Sequence, residues 1–362
     1  MVGDNPFNPT FGDVPQIYLG RNRPEELAEL ISTSKFARSF FITGVRGSGK
    51  TAFMTEVEHL LKQDSHCHCI DLINDQSLLT SFVNRLEEIG TSKFAKVFNK
   101  AKDISASGGG ITFTDPSDQS NEIANHVMKL MQIIKDQHHY VVVAIDEVTN
   151  DKMIRQFAQV FNALKRQGMP IFILMTGLPG LILDVQNEDK LTFLLRSEQR
   201  VMTPLQASNI AITYRQIFNC DPAVASKMAQ MVSGYSYAFQ LLGYLVYQQF
   251  RQDQVVTMAL LDQIKADYLA LLFDNAYLKT FEELSENDQR YLVAIHGNKR
   301  LSEVAEVMGQ NLSYVSQYRR RAISRHLVVP ASYGRVKYVL PYFGDFIAAT
   351  QNPDSMYYMY LE

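Results

Sequence analysis

Phe40-Phe41-Ile42-Thr43-Gly44-Val45-Arg46-Gly47-Ser48-Gly49-Lys50-Thr51 joins an apolar stretch to a glycine-rich loop that ends in a lysine and a hydroxyl residue. Glycines at 44, 47 and 49 let the backbone curl into a concave nest, so that successive N–H groups and a helix N-terminus converge on one anionic group. In such a loop Lys50 reaches the β- and γ-phosphates of a nucleotide, and Thr51 offers its hydroxyl to magnesium. The run that follows sets Phe53, Met54, Val57, Leu60 and Leu61 at helical spacing, which supplies the strand–loop–helix context that the motif requires. Gly44, Val45, Arg46, Gly47, Ser48, Gly49, Lys50, Thr51 and Ala52 are therefore the expected phosphate-binding residues. ATP or ADP with Mg2+ are the expected ligands.

Two more apolar runs have the character of strands buried on both faces. Tyr140-Val141-Val142-Val143-Ala144-Ile145 runs into Asp146-Glu147, and Pro170-Ile171-Phe172-Ile173-Leu174-Met175 runs into Thr176-Gly177. Parallel sheets contain such runs and gather their ligands at the C-terminal strand ends. There Asp146 suits magnesium, held directly or through water, and Glu147 suits a general base that polarises an attacking water. Thr176 has two readings: a contact to the γ-phosphate or the attacking water, or a plain strand-end threonine. With helical spacing over 77–89, 121–135 and 151–167, the pattern predicts an α/β P-loop NTPase domain with a doubly wound parallel sheet. Segment 104–114, alternating around Gly108-Gly109-Gly110, reads as a hairpin or a mobile insertion.

The run His66-Cys67-His68-Cys69 carries four metal-capable side chains. Alternation along a strand sends the two cysteines to one face and the two histidines to the other. No second Cys/His cluster follows at zinc-finger spacing. We read 67–72 as a buried strand.

The chain has 362 residues, enough for two or three domains, and its 46% hydrophobic and 20% charged residues are those of a globular protein. No apolar run approaches the ~20 residues that a membrane span needs, and Met1-Val2-Gly3-Asp4-Asn5-Pro6 has the features of no leader peptide. The three cysteines suit a reducing compartment. A cytoplasmic protein without a membrane partner is the expectation.

The net charge of −3 is unevenly spread, with nine Lys/Arg against two Asp/Glu between Arg290 and Leu340. Within this basic segment, helical runs at 288–296, 301–309 and 313–325 are spaced as a helix-turn-helix. On the last of them Val315, Tyr318, Ala322 and Ile323 form one face, which leaves Tyr314, Gln317, Arg320, Arg321 and Ser324 to point outward. The stretches 327–330 and 336–340 flank a Ser332-Tyr333-Gly334-Arg335 turn and complete a winged helix. Such a module binds DNA through its third helix and wing, or contacts protein. Tyr314, Gln317, Arg320, Arg321, Arg335 and Lys337 are the candidate contacts to double-stranded DNA. Before this segment, 206–277 carries helical spacing throughout and reads as a separate all-α domain. Arg196 and Arg200 are candidate fingers, supplied to the nucleotide of a neighbouring subunit in a homo-oligomer.

Taken in this order, the phosphate loop, the Asp146-Glu147 strand end, the helical tract and the winged helix resemble the AAA+ ATPases of the origin-recognition and archaeal-initiator type. The resemblance extends to Pro15-Gln16-Ile17-Tyr18-Leu19-Gly20-Arg21, similar to the leader that packs on adenine in that family, and so implies Leu19, Gly20 and Arg21 as base contacts. It implies a nucleotide domain over 1–205, a helical lid over 206–280 and a winged helix over 281–362, with ATP between the first two. Two positions depart from the family. Thr176 stands where the first sensor is often asparagine, and the lid stretch Gly234-Tyr235-Ser236-Tyr237-Ala238-Phe239-Gln240 lacks the arginine of the second sensor. Slow turnover follows from losing a cation aimed at the γ-phosphate. Two functions are consistent with the chain: a Mg-dependent ATPase that binds DNA, or a nucleotide-gated switch that contacts protein.

Overall fold

A computed structural model of the chain describes residues 4–10, 15–20, 22–34, 36–93, 116–186, 194, 196–249 and 255–359. The sequence expectations for 104–114 and for Arg21 fall outside them. The chain divides into two compact units: residues 23–43 with 53–201, and residues 1–22 with 44–52 and 202–362.

The first unit is α/β. Its elements in chain order are α1 (Pro24–Thr33), β1 (Arg38–Thr43), α2 (Lys50–Leu61), β2 (Cys67–Leu72), α3 (Leu78–Lys93), α4 (Pro116–Asp136), β3 (Tyr140–Ile145), α5 (Lys152–Arg166), β4 (Ile171–Gly177), α6 (Pro179–Gln186) and β5 (Glu198–Val201). The five strands pair in parallel in the order β2-β3-β4-β1-β5. Central strands β3 and β4 are buried from Val141 to Ile145 and from Ile171 to Gly177, and apolar there up to Thr176, as a parallel sheet covered on both faces demands. The register sets Ile42 beside Thr176 and Ile145 beside Met175, so the ends of β1, β3 and β4 lie along one edge of the sheet.

Helix α5 shows how sequence makes these layers. Asp151 caps it by accepting from the Ile154 N–H, and Ile154, Phe157, Ala158, Phe161 and Leu164 recur at helical spacing to form its buried stripe. That stripe joins Leu78, Phe82 and Leu86 of α3 and Val127, Met131 and Ile134 of α4 in one core. On β2, the Cys67 and Cys69 sulfurs lie 3.8 Å apart on one face, while His68 Nε2 lies 3.0 Å from His139 Nδ1. One polar group in this unit is costly: Glu58 of α2 is only 4% exposed and its Oε1 has no hydrogen-bond partner. Burial pushes its carboxyl up to about 7, with Lys62 pulling it down and Asp71 pushing it further up.

Edge strand β5 ends at Val201, before Pro204. Pro204 has no N–H to give to a ladder, and the Leu205 N–H goes instead to the Gly234 carbonyl at 2.8 Å.

The second unit is helical. It contains α7 (Ala207–Phe218), α8 (Pro222–Val232), α9 (Ser236–Gln249), α10 (Met258–Leu272), a π-turn (Phe273–Tyr277) that runs into α11 (Leu278–Glu282), α12 (Glu286–Ala294), α13 (Leu301–Met308), α14 (Leu312–Ser324), the antiparallel pair β6 (Val328–Pro330) and β7 (Val336–Tyr338), and α15 (Phe343–Thr350). Three of its fully buried tyrosines place their hydroxyls on backbone acceptors, as suits an aromatic ring with a polar tip. Tyr214 donates to the Phe239 carbonyl at 2.7 Å, Tyr268 to Met231 at 3.2 Å and Tyr277 to Pro341 at 2.5 Å. The N-terminal segment is built into this core. Phe7 packs against Tyr214, Phe218 and Phe239 and lies so close to Gly243 that a Cβ there would sit 2.3 Å from its ring. No helix among the described residues is long and apolar enough to cross a membrane.

Candidate nucleotide and nucleic-acid sites

The loop that follows β1 groups with the helical unit. Gly47 and Gly49 take φ of +70° and +89°, a region closed to most side chains, and so produce the curl expected of a phosphate nest. Inside the loop, the Ser48 N–H donates to the Val45 carbonyl at 3.2 Å. Lys50 Nζ folds back to donate to the Gly44 carbonyl at 3.2 Å and the Val45 carbonyl at 3.1 Å. Thr51 and Ala52 form the first turn of α2, with Ala52 buried.

Three residues at the start of α9 hold the rest of the loop. The Tyr235 hydroxyl donates to the Arg46 carbonyl at 2.7 Å, the Tyr237 N–H to the Gly47 carbonyl at 3.0 Å, and the Ser236 hydroxyl to the Ser48 carbonyl at 3.2 Å. A Cβ on Gly47 would sit 2.4 Å from the Tyr235 hydroxyl and 2.8 Å from Tyr237 Cβ, so close approach as well as φ calls for glycine. Within a trans peptide unit, C=O and the next N–H point in opposite directions. Carbonyls 46, 47 and 48 turned toward α9 therefore aim N–H groups 47, 48 and 49 away from it.

One turn along α9, Gln240 is 8% exposed and uses both ends of its amide. It accepts from the Asn8 N–H at 3.0 Å and donates to the Ile17 carbonyl at 3.0 Å. This clamps the N-terminal leader two residues before Leu19, which packs against the helical core. Gly20 lies against the Tyr18 ring, and the Tyr18 hydroxyl donates to the Asn22 carbonyl at 3.4 Å. Sequence reasoning noted 234–240 only for the arginine it lacks. A signal was available in Gln240, an uncharged polar residue inside the apolar run Ala238–Leu242.

In the α/β unit the sheet edge carries the acids. Glu147 is exposed and has φ of +51°, a strained value for a residue with a side chain. What holds it is Thr176, fully buried at the end of β4. The Glu147 N–H donates to Thr176 Oγ1 at 3.0 Å and to Asp146 Oδ1 at 3.1 Å, while the Thr176 hydroxyl itself donates to Asp146 Oδ1. The Val148 N–H adds a bond to the Thr176 carbonyl at 2.8 Å. Thr176 is thus the clasp of the Asp146-Glu147 turn. Asp71 at the end of β2 is a further carboxyl of this edge. Desolvation pushes it up and Asp146 pushes the same way, against Lys62 and Arg85.

The candidate finger residues lie at the other side of the sheet. Arg200, on edge strand β5, pairs with Glu198 at 2.5 Å. Arg196 is exposed. Burial holds the Lys165 ammonium below its usual range, and Arg196 and Arg38 lower it further, so three cations share this corner.

The basic segment forms three helices and a hairpin. Asn311 caps α14 by accepting from the Tyr314 N–H at 2.9 Å, and Val315, Tyr318 and Ala322 are buried as their spacing predicted. Gln317, Arg320 and Lys337 are exposed. Tyr314 is half-buried, its hydroxyl accepting from Tyr318 at 3.3 Å, and Arg335 is half-buried in the turn. Arg321, expected to point outward, turns to Asp288 of α12. Asp288 is 4% exposed, and its Oδ2 receives Arg321 at 2.5 Å, Arg325 at 3.1 Å and the Ser285 hydroxyl at 2.6 Å. A carboxylate this buried needs compensating cations, and α14 supplies two.

Three comparisons bear on this geometry. The chain is similar to the ORC2 protein of Aeropyrum pernix in its ADPNP–ADP complexes, with 12% identity, a TM-score of 0.55, and coverage of 92% of this chain and 94% of that one. The chain has an origin-recognition-like AAA+ fold. The ADP form of the same Aeropyrum pernix protein gives a TM-score of 0.50 at 12% identity, covering 94% of this chain and 96% of the other. Cdc6p from Pyrobaculum aerophilum gives 0.44 at 10% identity, covering 91% and 95%. Residues 274–347 match a family described as Domain of unknown function (DUF8462). No curated protein matches the sequence. In the AAA+ fold, the loop after β1 and the acids after β3 stand at the strand ends where parallel α/β sheets place ligands.

Proposed function

We propose that the chain binds ATP or ADP with Mg2+, hydrolyses ATP, and contacts double-stranded DNA through a C-terminal winged helix. The observation that carries the first part is the loop itself, whose carbonyls 46, 47 and 48 are all engaged on one side while the intervening amides point to the other. The Aeropyrum pernix ORC2 complexes with ADPNP and ADP, on the same fold, support a nucleotide as its ligand.

Lys50 and the amides of 47–52 would hold the phosphates, and Leu19, Gly20 and Arg21 would lie against the base. Thr51 and Asp146 offer a hydroxyl and a carboxylate oxygen, hard donors that fit magnesium, and the ion would neutralise phosphate charge when bound. Glu147 would accept the proton of the attacking water, with Thr176 fixing its backbone. Arg196 and Arg200 would serve as fingers in a homo-oligomer, Arg196 the better placed because it has cations as neighbours while Arg200 is paired. We further propose the division into nucleotide domain 1–205, lid 206–280 and winged helix 281–362. Exposed Gln317, Arg320 and Lys337, with Tyr314 and Arg335 beside them, are the proposed DNA contacts, and Arg321 acts through its bond to Asp288.

The direct test is calorimetric titration with ADP and Mg2+ followed by an ATPase assay. Absence of ADP binding at millimolar concentration would overturn the nucleotide reading. A second reading, a nucleotide-gated contact to protein, is favoured by the diversion of Arg321 and Arg325 from the surface to Asp288. It is decided by DNA binding at low salt.

A further inference from the structure

The lid stretch touches the phosphate loop without a charge. Residues 233–249, Ser-Gly-Tyr-Ser-Tyr-Ala-Phe-Gln-Leu-Leu-Gly-Tyr-Leu-Val-Tyr-Gln-Gln, contain no ionisable cation or carboxylate. What they present to the loop is three hydrogen-bond donors, one to each of three successive peptide carbonyls. One turn on, Gln240 holds the leader through Asn8 and Ile17. A single helix end therefore grips the backbone of both segments that would surround a nucleotide, its phosphate loop and its base leader.

A peptide group whose N–H is bonded to an anion becomes a stronger acceptor at its C=O, because the two ends of the amide polarise together. The amides of 47 and 49 belong to the same peptide units as carbonyls 46 and 48, while the amide of 48, which shares its unit with carbonyl 47, is already bonded to the Val45 carbonyl. In phosphate loops these amides cradle the α- and β-phosphates, whereas the γ-phosphate is met by the lysine and the metal. An anion on the amide side thus strengthens the bonds that Tyr235 and Ser236 make on the carbonyl side. A γ-phosphate adds nothing on this path.

Building on the nucleotide-binding reading, we propose that the lid helix senses occupancy by a nucleoside diphosphate moiety, through the loop carbonyls, and does not distinguish ATP from ADP. The switch is between empty and filled. Hydrolysis leaves the lid where it was, and nucleotide release resets it.

Hydrogen exchange of the full chain, followed over 233–249, tests this with ADP, a non-hydrolysable ATP analogue and AMP as probes, each at a concentration shown by calorimetry to saturate or, for AMP, at 5 mM as a fixed ceiling. ADP and the ATP analogue should slow exchange in this stretch equally, within about twofold, and by about five- to tenfold over the empty protein, the equivalent of about one strengthened hydrogen bond. AMP should leave it unchanged. Tyr235→Phe, which deletes one donor and keeps the ring, should lose most of the protection and, because the coupling is reciprocal, weaken ADP binding by no more than about the same five- to tenfold. Ser236→Ala is the second variant should Tyr235→Phe fold poorly. Protection by the ATP analogue more than about tenfold above that by ADP would overturn the proposal in favour of a γ-phosphate sensor. ADP that binds by calorimetry and leaves 233–249 unprotected sinks the proposal while sparing nucleotide binding; ADP that does not bind at all sinks both.

Discussion

Tyr235 reaches across 189 residues of sequence to donate its hydroxyl hydrogen to the Arg46 carbonyl at 2.7 Å. The bond is made by a ring almost wholly withdrawn from solvent, at 6% exposure, so the donor hydroxyl is held in place by packing around its ring. It gives the phosphate loop a fixed carbonyl face, and the chemistry expected of the loop then falls to its amide face and to Lys50.

Lys50→Ala should abolish ADP and ATP binding by calorimetry, a loss of at least about 100-fold, because this lysine is the cation that such a loop aims at the β- and γ-phosphates. Thermal stability should fall little, since Lys50 is half-exposed and the Gly44 and Val45 carbonyls it bonds belong to its own loop. Unimpaired binding would remove the loop from the nucleotide site.

Glu147→Gln should leave ADP affinity unchanged and lower steady-state ATP turnover by about 100-fold or more, the usual contribution of a general base. Thr176→Val, which keeps volume and deletes the hydroxyl that braces Asp146 and Glu147, should lower kcat by about 10-fold with KM little changed. Equal turnover in wild type and Glu147→Gln would assign the base elsewhere.

Arg320→Ala and Lys337→Ala should weaken DNA binding, and each should flatten the dependence of log Kd on log salt by about one unit if it meets a phosphate. Neither should shift Tm. Arg321→Ala should behave differently, destabilising the C-terminal module by about 2 kcal/mol because it strips a cation from buried Asp288. A Tm drop in Arg320→Ala equal to that in Arg321→Ala would contradict the division of labour.

Glu58 makes stability depend on pH. Its carboxyl is raised to about 7 in the folded chain from an ordinary 4.5, so the folded state holds its proton while the unfolded state has released it. Stability should therefore be greatest below about pH 4.5 as far as this group is concerned, fall between about 4.5 and 7, and level off above. Glu58→Gln removes that slope and should raise stability at pH 8 by about 2–3 kcal/mol relative to wild type, with no gain at pH 4. Urea melts at the two pH values measure it; a variant less stable at both would show that the carboxylate has a partner in the native state.

The parallel sheet was legible in the sequence because Val141–Ile145 and Ile171–Met175 are apolar without alternation, and burial on both faces leaves that trace. Gly47 and Gly49 announced their positive φ values in the same way. Partners distant in sequence left no such trace. Helical spacing placed Arg321 beside Arg320 on an outward face, yet the carboxylate that captures it lies 33 residues upstream on another helix. The clasp of Thr176 on Asp146 and Glu147 was equally hidden, since it depends on β3 and β4 being neighbours. The donors of Tyr235 and Ser236 are invisible to periodicity for the same reason.

Phe7 is made more than 200 residues before its socket of Tyr214, Phe218 and Phe239 is complete. At ribosomal speeds of about 5–20 residues per second, the first segment waits at least about ten seconds for the surface that receives it. The phosphate loop waits as long for Tyr235. During that interval the sheet strands have emerged while the loop between β1 and α2 has nothing to grip its carbonyls. Birth order thus makes the nucleotide loop a late-maturing part of an early-made strand–helix pair, and the emergence of the stretch around Tyr235 sets the moment at which it is finished.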